Sequence, residues 1–118
     1  MPECKTVQIK DSCAMDKKYD KIRNEYRQKP FGKKIAERDP FKQFSDWMDV
    51  AIDSGIKEPT AMALATVGKN LQPSNRMVLL KEIRNDNFIF YSNYDSKKGK
   101  QIDENHFGSL LFYWAELE

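Results

Sequence analysis

Four short apolar runs, each closed by turn-forming residues, constrain this chain more than any other feature. Residues 61–67 (AMALATV) end at the turn Gly68-Lys69-Asn70, and residues 76–80 precede the turn Arg84-Asn85-Asp86-Asn87. Residues 88–92 (FIFYS) and 109–114 (SLLFYW) complete the set. Runs of this length bounded by Gly, Asn and Asp read as strands. Their hairpin-like spacing predicts an antiparallel sheet or barrel, with helices packed beside it. The expected fold is mainly β with flanking helices.

The clearest helix starts at Asp39-Pro40: Asp39 suits the N-cap and Pro40 the first helical position. Phe41, Phe44, Trp47, Met48, Ala51 and Ile52 then recur at helical spacing, and Gly55 suits the stop. This stripe predicts core packing, with Trp47 buried. A second helix is expected from Ser96, as N-cap, to about residue 104. Tyr19, Ile22 and Tyr26 predict a short helix over 19–26. Residues 1–20 are polar, charged and without periodicity, which predicts a disordered tail within the basic segment 1–34; residues 21–118 then form part of one domain.

Charge is unevenly spread. Residues 1–34 hold ten Lys/Arg against five Asp/Glu, a net of +5, while 35–118 hold ten against thirteen, a net of −3. The basic segment has no base-reading motif and no dense arginine cluster, so nucleic-acid binding is not expected. No apolar run approaches the about 20 residues of a membrane helix, and residues 1–10 do not read as a secretory signal. Cys4 and Cys13 are the only cysteines, with no CxxC and no His/Cys cluster. That pattern argues against a zinc site or a disulfide framework and suits reduced thiols in the cytoplasm.

Catalytic constellations are scarce. His106 is the only histidine and falls in a turn, the carboxylates are scattered, and no glycine-rich phosphate loop is present. An enzyme with this sequence would borrow its chemistry from a bound cofactor. The cations are more informative. Lys97 and Lys98 follow the expected helix start at Ser96, where the helix already carries partial positive charge. Two lysines there make sense if a phosphate shares the site, although solvated surface charge would account for them equally well. Arg76 and Lys81 border one strand, and five residues of alternation put them on opposite sides unless a bulge or the strand end redirects one.

Several motifs then occur together in order: Glu58-Pro59-Thr60-Ala61-Met62, Leu64-Ala65-Thr66, Arg76-Met77-Val78-Leu79-Leu80-Lys81, Tyr91-Ser92-Asn93-Tyr94 with Ser96-Lys97-Lys98-Gly99, and Leu111-Phe112-Tyr113-Trp114. With Asp39-Pro40, Gln43-Phe44, Trp47 and the segment Ile22-Arg23-Asn24-Glu25-Tyr26, they resemble the pyridoxamine 5'-phosphate oxidase family over residues 22 to about 117.

The resemblance implies an FMN-binding split barrel, antiparallel and Greek-key-like, that works as a homodimer with FMN at the subunit interface. It assigns FMN contacts to Arg76, Met77, Val78, Leu79, Tyr91, Ser92, Ser96, Lys97 and Lys98. Ser92 stands where the family has Thr and keeps the hydroxyl. Lys97 stands where the family has Arg, which keeps the charge and loses a bidentate contact. Substrate contacts fall to Lys81 and to Arg23, Asn24, Glu25 and Tyr26. The implied reaction is oxidation of pyridoxamine or pyridoxine 5'-phosphate to pyridoxal 5'-phosphate, with O2 reoxidising the flavin and no metal.

The family's later segments, among them an Arg-Gln-Val stretch and an Arg-Leu-His-Asp-Arg motif, have no counterpart here. The barrel is therefore expected to be incomplete in this chain, with little turnover by the chain alone. The rival readings are a non-catalytic FMN-binding or dimerising module of the same family, and a structural domain without flavin.

Overall fold

The computed structural model describes Ile22, Glu25, Gly32 and residues 35–117. The element order is α1 (Pro40–Asp53), β1 (Ala61–Val67), β2 (Pro73–Leu79), β3 (Glu82–Arg84), β4 (Asn87–Ile89), α2 (Lys97–Glu104), β5 (Gly108–Leu111) and a closing 3-10 turn, Ala115–Leu117. β1 is the middle strand of a three-stranded antiparallel sheet ordered β2-β1-β5, and β3 and β4 form a separate hairpin.

α1 begins where the side chain of Asp39 accepts a hydrogen bond from the Phe41 amide at 2.9 Å, with Pro40 as the first helical residue. Ser54 caps its end, and Gly55 follows with a φ of 74°, in the left-handed region that glycine enters without steric cost. The core stripe is narrower than the spacing predicts. Met48 and Ala51 are buried, but Trp47 is 44% exposed and Ile52 is also exposed. Phe44 and Met48 are the α1 side chains that join the core cluster, while Trp47 and Ile52 on the flanks of the stripe stay largely at the surface.

Antiparallel pairing puts directly opposed residues on one face. Met62, Leu64 and Thr66 of β1 thus share a face with Val78, Arg76 and Ser74 of β2, and Leu64 also faces Leu110 of β5. Its apolar end forms the core: buried Met48, Met62 and Leu80, with Phe44, Ile83, Phe88, Phe90, Leu110, Phe112 and Trp114 packed against them. Phe44 lies within 6 Å of three rings, those of Phe88, Phe112 and Trp114. The Trp114 indole donates to the Pro59 carbonyl at 2.9 Å, giving the buried end of that ring its partner.

Three strand boundaries differ from expectation. β2 starts at Pro73, tolerable as the first residue of an edge strand. The expected strand at 88–92 is the second arm of a hairpin, 87–89, whose first arm, 82–84, carries no strand signal in sequence because Glu82 and Arg84 flank a lone apolar Ile83. Asn85 and Asp86, both at positive φ (49° and 59°), form the two-residue turn between them, as right-twisted hairpins prefer. The strand expected over 109–114 is paired only over 108–111; Phe112 and Trp114 turn into the aromatic cluster instead.

The tail 1–20 lies outside the described residues. So does most of the 19–26 segment; Ile22 and Glu25 are exposed and in neither helix nor strand. No helix among the described residues is long and apolar enough to cross a membrane.

Candidate functional site

The site grows from the polar end of the covered sheet face, where α2 lies against β1 and β2. Ser96 caps α2: its hydroxyl accepts from the Gly99 amide at 3.2 Å and donates to the Asn93 carbonyl at 2.6 Å. The side chain of Asn93 accepts from the Asp95 amide at 2.9 Å, shaping the turn that leads into the helix. Gly99 follows from this close approach. A Cβ there would stand 2.5 Å from the Tyr94 carbonyl oxygen and 3.0 Å from that of Asn93. The Ser-Lys-Lys-Gly sequence therefore folds its first helical turn directly onto the preceding loop.

Lys97 and Lys98 open α2 at its positive end, Lys97 exposed and Lys98 half-buried. Neither joins an ion pair among the described residues. Ser92 is exposed, its hydroxyl 3.4 Å from that of Ser96. A cavity of about 190 Å³ lies alongside, lined by Phe90, Ser92, Asn93, Tyr94, Gly99, Ile102 and Asp103. Tyr91 is exposed just before it.

Arg76 is half-buried on the covered face of β2. Its Nη1 donates to the Leu64 carbonyl at 3.0 Å and to the Thr66 hydroxyl at 2.6 Å. Both Nη1 protons are thereby used; Nε and Nη2 have no partner among the described residues. Thr66, 3% exposed, donates in turn to the Gln101 Oε1 of α2 at 2.7 Å. Gln101 Nε2 completes the chain with the Ser74 hydroxyl at 3.3 Å. The Lys69 amide adds a second tie between the β1–β2 turn and α2 by donating to Glu104 at 3.0 Å.

The remaining candidates separate. Val78 packs in the core, whereas Met77 (65% exposed) and Leu79 (42%) lie on the opposite face of β2. That open face continues across Ala61, Ala63 and Ala65 to exposed Leu111. Lys81 is exposed beyond the end of β2, where the backbone changes partner: Leu80 donates to the Thr60 carbonyl and Lys81 to that of Ile89. Arg76 thus lies on the covered face within β2, and Lys81 past the end of that strand. Arg23, Asn24 and Tyr26 lie outside the described residues. His106 is exposed in the turn before β5.

Sequence reasoning assigned no role to Thr66, Gln101 or Ser74. The signal was available for one of them: Thr66 falls on the buried parity of an otherwise apolar alternating strand, where a hydroxyl demands a partner.

This combination of strand order, cations and helix cap can be set against known proteins. The model of the pyridoxamine 5'-phosphate oxidase family matches residues 48–118. The chain belongs to the pyridoxamine 5'-phosphate oxidase family. Pyridoxine/pyridoxamine 5'-phosphate oxidase of Actinobacillus succinogenes is 46% identical over 97 residues, 82% of this chain and 46% of that protein. The Hydrogenovibrio crunogenus protein called pyridoxine/pyridoxamine 5'-phosphate oxidase 1 is 46% identical over 100 residues, 85% of this chain and 46% of its own length. The chain thus spans about half the length of these curated relatives.

Among solved structures, PhzG from Burkholderia lata 383, in complex with tetrahydrophenazine-1-carboxylic acid, superposes with a TM-score of 0.68 at 29% identity. The match covers 70% of this chain and 41% of PhzG. A pyridoxamine 5'-phosphate oxidase-related, FMN binding protein from Nostoc punctiforme PCC 73102 gives a TM-score of 0.56 at 22% identity, over 65% of this chain and 41% of that one, and shares the fold. The fold is therefore that of the family's split barrel, represented here by a three-stranded sheet and a hairpin without closure among the described residues.

Proposed function

We propose that this chain binds FMN and belongs to an oxidase that converts pyridoxamine or pyridoxine 5'-phosphate to pyridoxal 5'-phosphate. The observation that carries the reading is a set of cationic donors without carboxylate partners among the described residues: Arg76, Lys97 and Lys98, the last two at the positive end of α2. Such a set suits a phosphate dianion, with Nε and Nη2 of Arg76 left as donors and the Ser92 hydroxyl at the α2 start, 3.4 Å from that of Ser96. The donors present thus fit the phosphate end of FMN.

Met77, Val78, Leu79, Tyr91, Ser92 and Ser96 are the further flavin contacts in this reading. Arg76 and Met77 lie on opposite faces of β2, which is an edge strand among the described residues. A ligand along that edge can meet both faces. FMN, when bound, supplies a two-electron acceptor for hydride from the substrate carbon, and O2 reoxidises it. Lys81 is the candidate cation for the substrate phosphate, with Arg23, Asn24, Glu25 and Tyr26 covering the substrate. A homodimer is supported by the open apolar face of Met77, Leu79 and Leu111, which a second copy would cover. We place the protein in the cytoplasm on its reduced-thiol cysteine pattern.

The test is titration of the 118-residue chain with FMN and with riboflavin, followed by flavin fluorescence. Binding that depends on the phosphate is expected; absent binding, or equal affinity for both, would overturn the phosphate site. Addition of pyridoxamine 5'-phosphate to the FMN-loaded protein, with the aldehyde product followed, addresses the reaction.

A further inference from the structure

We infer that Thr66 and Gln101 are positioning residues that hold Arg76 and the start of α2 as one rigid unit for phosphate recognition. This rests on the phosphate reading of Arg76, Lys97 and Lys98. β2 and α2 are separated in the chain by the β3–β4 hairpin, so their cations share a ligand only if something couples the two elements. The coupling is the hydrogen-bond chain already described. Arginine can only donate, so the Thr66 hydroxyl accepts from Nη1, and it donates its own proton to Gln101 Oε1. That leaves the Gln101 amide nitrogen for Ser74.

Thr66 and Gln101 are both buried, which shields these bonds from competing water. Gln101 lies one helical turn beyond Lys97 and Lys98, so the contact that anchors it to β1 also fixes where α2 begins. Neither Thr66 nor Gln101 needs to touch the ligand. They direct Nη1 inward to Leu64 and Thr66, and so reserve Nε and Nη2 for an anion.

The test is the ratio of FMN to riboflavin affinity, which isolates the phosphate. Thr66→Val keeps the side-chain shape and removes the hydroxyl; Gln101→Met keeps length and removes the amide. Each is expected to reduce the ratio about tenfold, the scale of one hydrogen bond to a charged group, with riboflavin affinity unchanged. Thr66→Ser is expected to retain the ratio. The double variant should lose no more than Thr66→Val alone, because both break one chain. If Thr66→Val does not unfold cooperatively, Gln101→Met and Thr66→Ser carry the comparison. Variants that keep the parent ratio would overturn the inference. A parent chain whose ratio is already one would instead overturn the phosphate site itself, and the inference with it.

Discussion

Phe44 on α1 meets Phe88 on β4 nearly edge-on, with ring centroids 4.9 Å apart and planes at 78°. This contact joins the first helix to a hairpin more than forty residues later, and Phe112 and Trp114 close around the same ring. Phe44 is partly buried, so Phe44→Ala should cost about 3 kcal/mol, the lower end of the range for buried aromatic truncations. Urea unfolding monitored by circular dichroism measures it. Trp47→Ala, three residues on at a more exposed position, should cost less; equal losses would mean that Trp47 carries as much of the core as Phe44.

Gly99→Ala should destabilise the α2 start. Alanine gains about 1 kcal/mol of helix propensity over glycine. Against that, its methyl group would stand 2.5 Å from the Tyr94 carbonyl oxygen, a backbone atom that cannot swing away. Overpacking of this kind costs about 1–3 kcal/mol, so strain should win. A thermal midpoint higher than the parent's would contradict the close packing of helix on loop.

Leu71 is exposed and held at φ 59° in the β1–β2 turn, an unfavourable setting for a bulky side chain. Left-handed backbone costs an L-residue about 1–2 kcal/mol, and asparagine tolerates it better. Leu71→Asn should therefore raise the thermal midpoint, without touching the cations of the site. A fall would show that Leu71 makes an apolar contact worth more than its strain.

Lys98→Ala should weaken FMN binding by about 1–3 kcal/mol, the range for a charged hydrogen bond. Because Lys98 is half-buried, its charge is less screened than that of exposed Lys97. The same titration on Lys97→Ala should therefore show a smaller loss. An unchanged affinity for Lys98→Ala would remove Lys98 from the phosphate site.

Local chemistry alone determined a good part of this protein. Asp39-Pro40 and Ser96 start helices by satisfying amides that no helix can satisfy for itself, and the alternation over 61–67 marks a strand with one buried face. The family, too, is legible in its linked motifs. What the sequence did not determine depends on partners distant along the chain. Trp47 sits on the apolar stripe, yet it stays 44% exposed while Phe44 and Met48 of the same stripe join the core. The β3 arm becomes a strand because β4 pairs with it, not through any propensity of Glu82-Ile83-Arg84. Most of all, Thr66 and Gln101, 35 residues apart, acquire a role only when tertiary packing buries both. A buried hydroxyl must find a partner, and only the folded chain decides which one it finds.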